Sequence, residues 1–187
     1  PNAPSAFTYA WMGPFIGAAV RPLGGWIADK LGGSIVTQVI SAILVAGSVA
    51  AGYVMMQAYG SATPETYFPT FLALILLLFF ASGIGNGSTF CMIPVIFRTH
   101  HERASAGASA EAKAEALKNA GKESAAVLGF SSAVAAYGAF FIPKSFGTSM
   151  ALTGGPQAAL YMFVGYYVTC IFVTWWWYSR KNAEMPC

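Results

Sequence analysis

The sequence predicts an all-α, polytopic transmembrane helical bundle, and three observations carry that prediction. Hydrophobic residues make up 56% of the chain and charged residues only 9%, against about 25% charged in soluble domains; mean hydropathy is +0.57. The apolar residues gather in five runs, each long enough to supply the ~20 helical residues that cross a hydrocarbon layer ~30 Å thick. These runs are too long for buried strands and lack strict alternation. A closed barrel is thereby disfavoured, which leaves helices, because every backbone polar group in lipid must be satisfied internally.

The spans are placed at about 9–27, 35–56, 68–97, 125–146 and 159–178. In the first, Gly13, Gly17, Arg21 and Gly25 recur at four-residue steps and share one face. The second follows Gly32 and Gly33, which permit a tight turn. The third is long and carries Pro94 near its end, so a kink or tilt is expected. In the fourth, Gly129, Ala133, Ala136 and Ala139 or Phe140 form a small-residue face suited to close helix packing. The fifth ends in Trp175, Trp176 and Trp177, and Trp11 and Trp26 also fall near run ends, as an interfacial aromatic belt requires.

Between the third and fourth spans, residues 98–124 read as a cytoplasmic loop. Its stretch HHERASAGASAEAKAEALKNAGKES is rich in Ala, Glu and Lys, with Leu117 its single large apolar residue. A fraying surface helix or a flexible linker is expected there. His100, His101 and Glu102 do not make a metal site, because adjacent histidines face apart and no third ligand is suitably spaced. Cys91 and Cys170 lie inside apolar runs and, with Cys187, follow no metal or disulfide spacing. No cofactor and no nucleic-acid partner is expected. The chain starts at Pro1 without an initiator methionine or signal peptide, and is expected to be part of a longer protein.

Charge asymmetry orients the spans. Lys30, Arg98, Arg103, Lys113, Lys118, Lys122, Arg180 and Lys181 fall on one side if the spans alternate, which is eight of the ten basic residues. The positive-inside rule makes that side cytoplasmic, with residues 1–8 outside and Cys187 inside. Lys144 and Glu65 lie at the outer side. A multi-pass protein of the inner (plasma) membrane with a cytoplasmic C-terminus is expected.

Arg21 is the only charge in its span. A guanidinium at the centre of a membrane helix costs roughly 2.5–3.5 kcal/mol even on the mildest insertion scale, and such residues face a bundle interior or a wet cavity. No other apolar run supplies a carboxylate, so the counter-charge points to an anionic substrate. Asp29 lies eight residues on, about 12 Å along a helix axis, too far for Arg21 simply to reach the interface. Asn86, between Gly85 and Gly87, is polar at mid-span, and Phe90 stands one turn from it on the same side. A helix–helix hydrogen bond for Asn86 and plain packing for Phe90 compete with substrate contact and gating. Lys144 either draws anions to the entrance or anchors the span end. No nucleophile–base set lies in the spans, so an enzyme is not expected.

Three motifs identify a family. RPLGGWIADKLGG, Arg21 to Gly33, has Gly24 and Gly25 for close helix approach, Asp29 and Lys30 at the membrane boundary, and Gly32 and Gly33 at the turn. Asp29 is expected to bond a neighbouring helix N-terminus or a cytoplasmic arginine. This stretch resembles the loop motif of the major facilitator superfamily. GFSSAVAAYGAFFIPK, Gly129 to Lys144, resembles the nitrate signature of the NarK-type nitrate/nitrite porters within that superfamily. GIGNGSTFCMIPVIF, Gly83 to Phe97, is similar to their tenth helix. The resemblance covers essentially the whole chain and implies helices eight to twelve of twelve, a C-terminal part without its N-terminal half or seventh helix.

That resemblance implies a carrier working by alternating access, with one arginine from each half gripping nitrate or nitrite at mid-membrane. Arg21 matches the arginine of the second half. Gly129 and Ser132 of the signature, with Asn86 and Phe90 by their position in the tenth helix, are then expected to bind substrate, and Gly24, Gly25, Asp29, Lys30, Gly32 and Gly33 to form the structural motif. Because the spans hold no acidic residue or histidine to relay protons, nitrate/nitrite exchange is expected, with proton symport dependent on the other half. A facilitator carrier for another small solute, or a non-transporting membrane anchor, are the competing readings.

Overall fold

The computed structural model describes residues 4–185; Pro1 and Cys187, whose sides were assigned above, lie outside the described residues. The first expected span is divided into α1 (Ala6–Tyr9), α2 (Met12–Ala19) and α3 (Arg21–Leu31). Pro22 causes the break before α3: it donates no N–H and its ring crowds the carbonyl four residues back. Val20 nevertheless keeps φ −91° and ψ −5°. Its N–H bonds the Ile16 carbonyl, and the Gly24 N–H bonds the Val20 carbonyl, each at 3.1 Å. The chain therefore continues helically through the interruption.

Gly32 ends α3 with φ 89°, a left-handed conformation that costs an L side chain about 1–2 kcal/mol. The turn requires this glycine. Gly33 serves differently: it is buried, and a Cβ there would collide with the Met92 side chain. α4 (Gly33–Tyr59) covers the second expected span with a short extension at both ends, and a 3₁₀ turn, Pro64–Tyr67, leads into α5 (Phe68–Ala104). The 37 residues of α5 run unbroken through Pro94 and reach roughly 55 Å at helical rise, well beyond a hydrocarbon layer.

Residues 98–124, expected as a surface helix or a flexible linker, are almost wholly helical. α5 continues to Ala104 and α6 (Ala110–Ala136) begins after five intervening residues. Alanine-rich sequence favours the helix, and Ser109 caps it by accepting a 3.3 Å bond from the Ala112 N–H. His101 Nε2 lies 2.9 Å from Glu123 Oε2, joining the two helix extensions. Glu102 pairs with Arg98 at 2.7 Å. Arg103 Nη1 donates to the Glu184 carbonyl at 2.8 Å and so ties the C-terminal segment to this hairpin.

The fourth expected span is also interrupted, at Tyr137, between α6 and α7 (Gly138–Thr153). The Tyr137 N–H takes a tightened bond to Val134, and Gly138 offers little resistance to the change of winding. α8 (Gln157–Thr174) closes the bundle and passes into a π-helical turn over Trp175–Ser179. Four helical segments among the described residues are long and apolar enough to cross a membrane: Gly33–Tyr59, Pro64–Ala104, Ala110–Thr153 and Gln157–Ser179. The molecule is a multi-pass membrane protein of α-helical class.

α4 and α5 form the centre. Val36, Ile40 and Leu44 of α4 pack against Ala81 and Ile84 of α5, with Val20, Ile27 and Tyr167 closing around them. α3 and α2 lie against α5, and α8 against α4. α6–α7 is peripheral: none of residues 125–148 is buried. Its small-residue face therefore does not make the close packing expected of it within this chain.

Candidate functional site

α2 and α3 approach α5 until their backbones touch. A Cβ on Gly24 would collide with the Ile84 backbone, one on Gly83 with the Gly17 carbonyl, and one on Gly87 with the Arg21 carbonyl oxygen, 3.0 Å from the Gly25 nitrogen as well. Small residues at four-residue spacing permit this in a membrane, where van der Waals packing replaces the hydrophobic drive between helices. The outcome is that α3 and α5 present one shared groove.

That groove, about 570 Å³ and open on one side, is lined by Arg21, Gly25, Trp26 and Asp29 from α3 and by Asn86, Phe90 and Cys91 from α5, among others. Three residues singled out in the sequence, Arg21, Asn86 and Phe90, are thus brought together. Arg21 is exposed to the groove and has no hydrogen bond or ion pair among the described residues. Asn86 is half-buried and Phe90 is exposed. A planar guanidinium beside a carboxamide offers several N–H donors and an aromatic wall, a set suited to a small oxyanion.

Asp29 lines the other end of the groove. It is exposed and forms neither of the bonds expected of it, to a helix N-terminus or an arginine, among the described residues. The lining thus carries one positive and one negative residue, and helical rise sets Asp29 about 12 Å from Arg21 along the axis. Lys30 is not part of the lining; its Nζ lies 3.9 Å over the Trp26 ring. Asp29 was expected only in the structural motif; its four-residue step from Gly25 and Arg21 is the sequence signal that would have placed it on this face.

Gly129 and Ser132 are not brought into this groove. Both stand exposed on α6; nothing approaches a Cβ position on Gly129 within 4 Å, and Ser132 Oγ donates to its own helix at the Leu128 carbonyl, 2.7 Å. Lys144 is exposed on α7, 5.5 Å from the Phe140 ring centroid.

Ser88, which the sequence reading missed, fixes the rear of the site. It is fully buried between α4 and α5. Its Oγ donates to the Gly33 carbonyl at 2.9 Å and lies 3.2 Å from Thr37 Oγ1. This clasp holds α5 against α4 two residues from Asn86. Ser82 and Thr89 stand in the same run, so no sequence signal singled Ser88 out.

Comparison with known proteins extends these observations. No protein-family model matches the chain. The nitrate/nitrite transporter NarU of Salmonella typhimurium is 42% identical over 178 residues, 94% of this chain and 37% of that protein. The nitrate/nitrite transporter NarU of Escherichia coli is 43% identical over 175 residues, 92% of this chain and 36% of that protein. The Thermus thermophilus protein named "Probable nitrate/nitrite antiporter NarK2" is 36% identical over 186 residues, the whole of this chain and 36% of its own length. The chain therefore spans little more than a third of the curated relatives it matches. Identity at this level across nearly every residue, on a helical membrane bundle carrying the three motifs, places it: the chain belongs to the NarK-type nitrate/nitrite porter family of the major facilitator superfamily.

Proposed function

We propose that residues 1–187 form helices eight to twelve of a twelve-helix carrier that moves nitrate and nitrite across the inner (plasma) membrane by alternating access. The supporting observation is Arg21, a permanently charged group with no hydrogen bond or ion pair among the described residues, in a groove with Asn86 and Phe90. A small anion, held jointly with an arginine from the half outside this chain, supplies the missing counter-charge. Gly129 and Ser132 join the site when the remaining half of the carrier packs against the open side of the groove and the exposed face of α6. The carrier is an anion exchanger rather than an enzyme, nitrate in and nitrite out, and rocks its halves about the occupied midplane site. Orientation follows the basic residues, with the α5–α6 hairpin and the C-terminus cytoplasmic.

The test uses the full-length carrier in liposomes loaded with nitrite, with external nitrate uptake as the readout. Exchange requires that uptake collapse when internal nitrite is omitted, even with a pH gradient. Arg21→Lys keeps the charge and loses the planar fork. Losing one or two charge-assisted hydrogen bonds, each about 1.5–3 kcal/mol, is expected to weaken nitrate affinity at least ten-fold. Unchanged affinity and rate in that variant removes Arg21 from the site.

A further inference from the structure

At the end of the bundle away from the α3–α4 turn lies a second concavity, unconnected with the anion groove. α4 ends there at Tyr59, the 3₁₀ turn Pro64–Tyr67 carries the chain round, and α5 begins at Phe68. The cavity between them measures about 510 Å³, within the roughly 300–1,000 Å³ range of small-molecule sites. Met55, Tyr59, Tyr67, Phe68 and Phe71 give it apolar and aromatic walls, and Glu65 is the one charged residue in its lining.

The turn bearing Glu65 is held by local bonds. Thr66 Oγ1 donates to the Thr63 carbonyl at 2.8 Å, and the Thr63 N–H donates to Ser61 Oγ at 3.1 Å. The Tyr9 ring packs edge-on against Phe68, 5.1 Å between centroids, and braces the start of α5. Glu65 has no ion pair among the described residues.

The position selects the occupant. The cavity lies where two membrane-length helices end and tyrosines gather, the depth of lipid headgroups. Its walls accept an acyl chain, and its aromatic faces with the Glu65 carboxylate favour an organic ammonium. An anionic lipid meets repulsion from Glu65 and finds no basic residue in the lining to hold its phosphate. We propose that this cavity binds a phospholipid with an ammonium headgroup, of the phosphatidylethanolamine type, with the ammonium at Glu65.

Native mass spectrometry of the full-length carrier tests this. The protein is offered equal amounts of phosphatidylethanolamine and phosphatidylglycerol with identical acyl chains. The ammonium lipid is expected to be retained in roughly two- to five-fold excess, the scale of one exposed ion pair, here with Glu65. Glu65→Gln brings the ratio to near one, and Glu65→Lys abolishes or reverses it. Thermal unfolding of both variants monitors folding, and an exposed turn substitution leaves it unchanged. An even ratio in the native carrier, or a preference that survives both substitutions, overturns the proposal.

Discussion

Gly87→Ala is the substitution that most directly probes how the groove is built. A single methyl at position 87 would collide with the Arg21 carbonyl oxygen and stand 3.0 Å from the Gly25 nitrogen. Both are backbone atoms, so no side-chain rotation relieves the contact, and α3 must retreat from α5 by about 1 Å, beyond the ~0.5 Å tolerance of a working site. Overpacking of this kind costs about 1–3 kcal/mol, partly offset by the ~1 kcal/mol that Ala gains over Gly in a helix. A net loss of up to about 2 kcal/mol is expected, together with displacement of Arg21 from Asn86. Gly121→Ala is the matched control: it changes the same residue type within α6, and nothing lies within 4 Å of its Cβ position. Thermal unfolding and nitrate uptake of the full-length carrier give the readout. Gly121→Ala should keep or raise the midpoint, whereas Gly87→Ala should lower it and weaken nitrate binding. A Gly87→Ala carrier as stable and as active as the native one would refute the claim that backbone contact between α3 and α5 sets the site.

Two further substitutions test the elements around the groove. Ser88→Ala removes a buried 2.9 Å bond to the Gly33 carbonyl, which keeps its place in the α4 ladder; about 0.5–1.5 kcal/mol of stability should be lost, read as a lower unfolding midpoint, with some weakening of nitrate binding because the clasp helps to fix Asn86. Gly32→Ala places a Cβ at φ 89° and should cost about 1–2 kcal/mol, whereas Gly33→Ala should act through the collision with Met92 and be relieved by Met92→Ala. An unshifted midpoint in Gly32→Ala would mean that the turn is not held in the left-handed conformation.

The helical class and the charged residue of the groove were legible because they depend on period and charge. Arg21 could be singled out from one sequence, because an unpaired cation in an apolar run needs a polar cavity; Asn86 and Phe90 were joined to it only by the resemblance of Gly83 to Phe97 to the porters' tenth helix. Other features depend on quantities that a hydropathy pattern does not contain. Pro22 was read within a motif, so its effect on winding at Val20 went unnoticed. The segment 98–124 holds too few large apolar residues to signal a buried helix, yet alanine propensity, the Ser109 cap and the His101–Glu123 contact are sufficient to make it helical. Ser88 was invisible because a hydroxyl inside an apolar run reveals neither its partner nor the helix rotation that supplies one.

The difference between Asn86 and Ser132 follows from how each helix is held. Asn86 belongs to α5, which is fixed on two faces by glycine contacts to α3 and by the Ser88 clasp to α4, so its rotation about the axis is determined within this chain. Ser132 belongs to α6, where none of residues 125–148 is buried, and its hydroxyl turns to the Leu128 carbonyl of its own helix. Motif content alone cannot decide such a rotation. The packed face does, and residues 125–148 of the described chain present no buried one. On the proposed function, anion contacts from Arg21 and Asn86 would rest on packing within these residues, while those from Gly129 and Ser132 would depend on assembly with the other half.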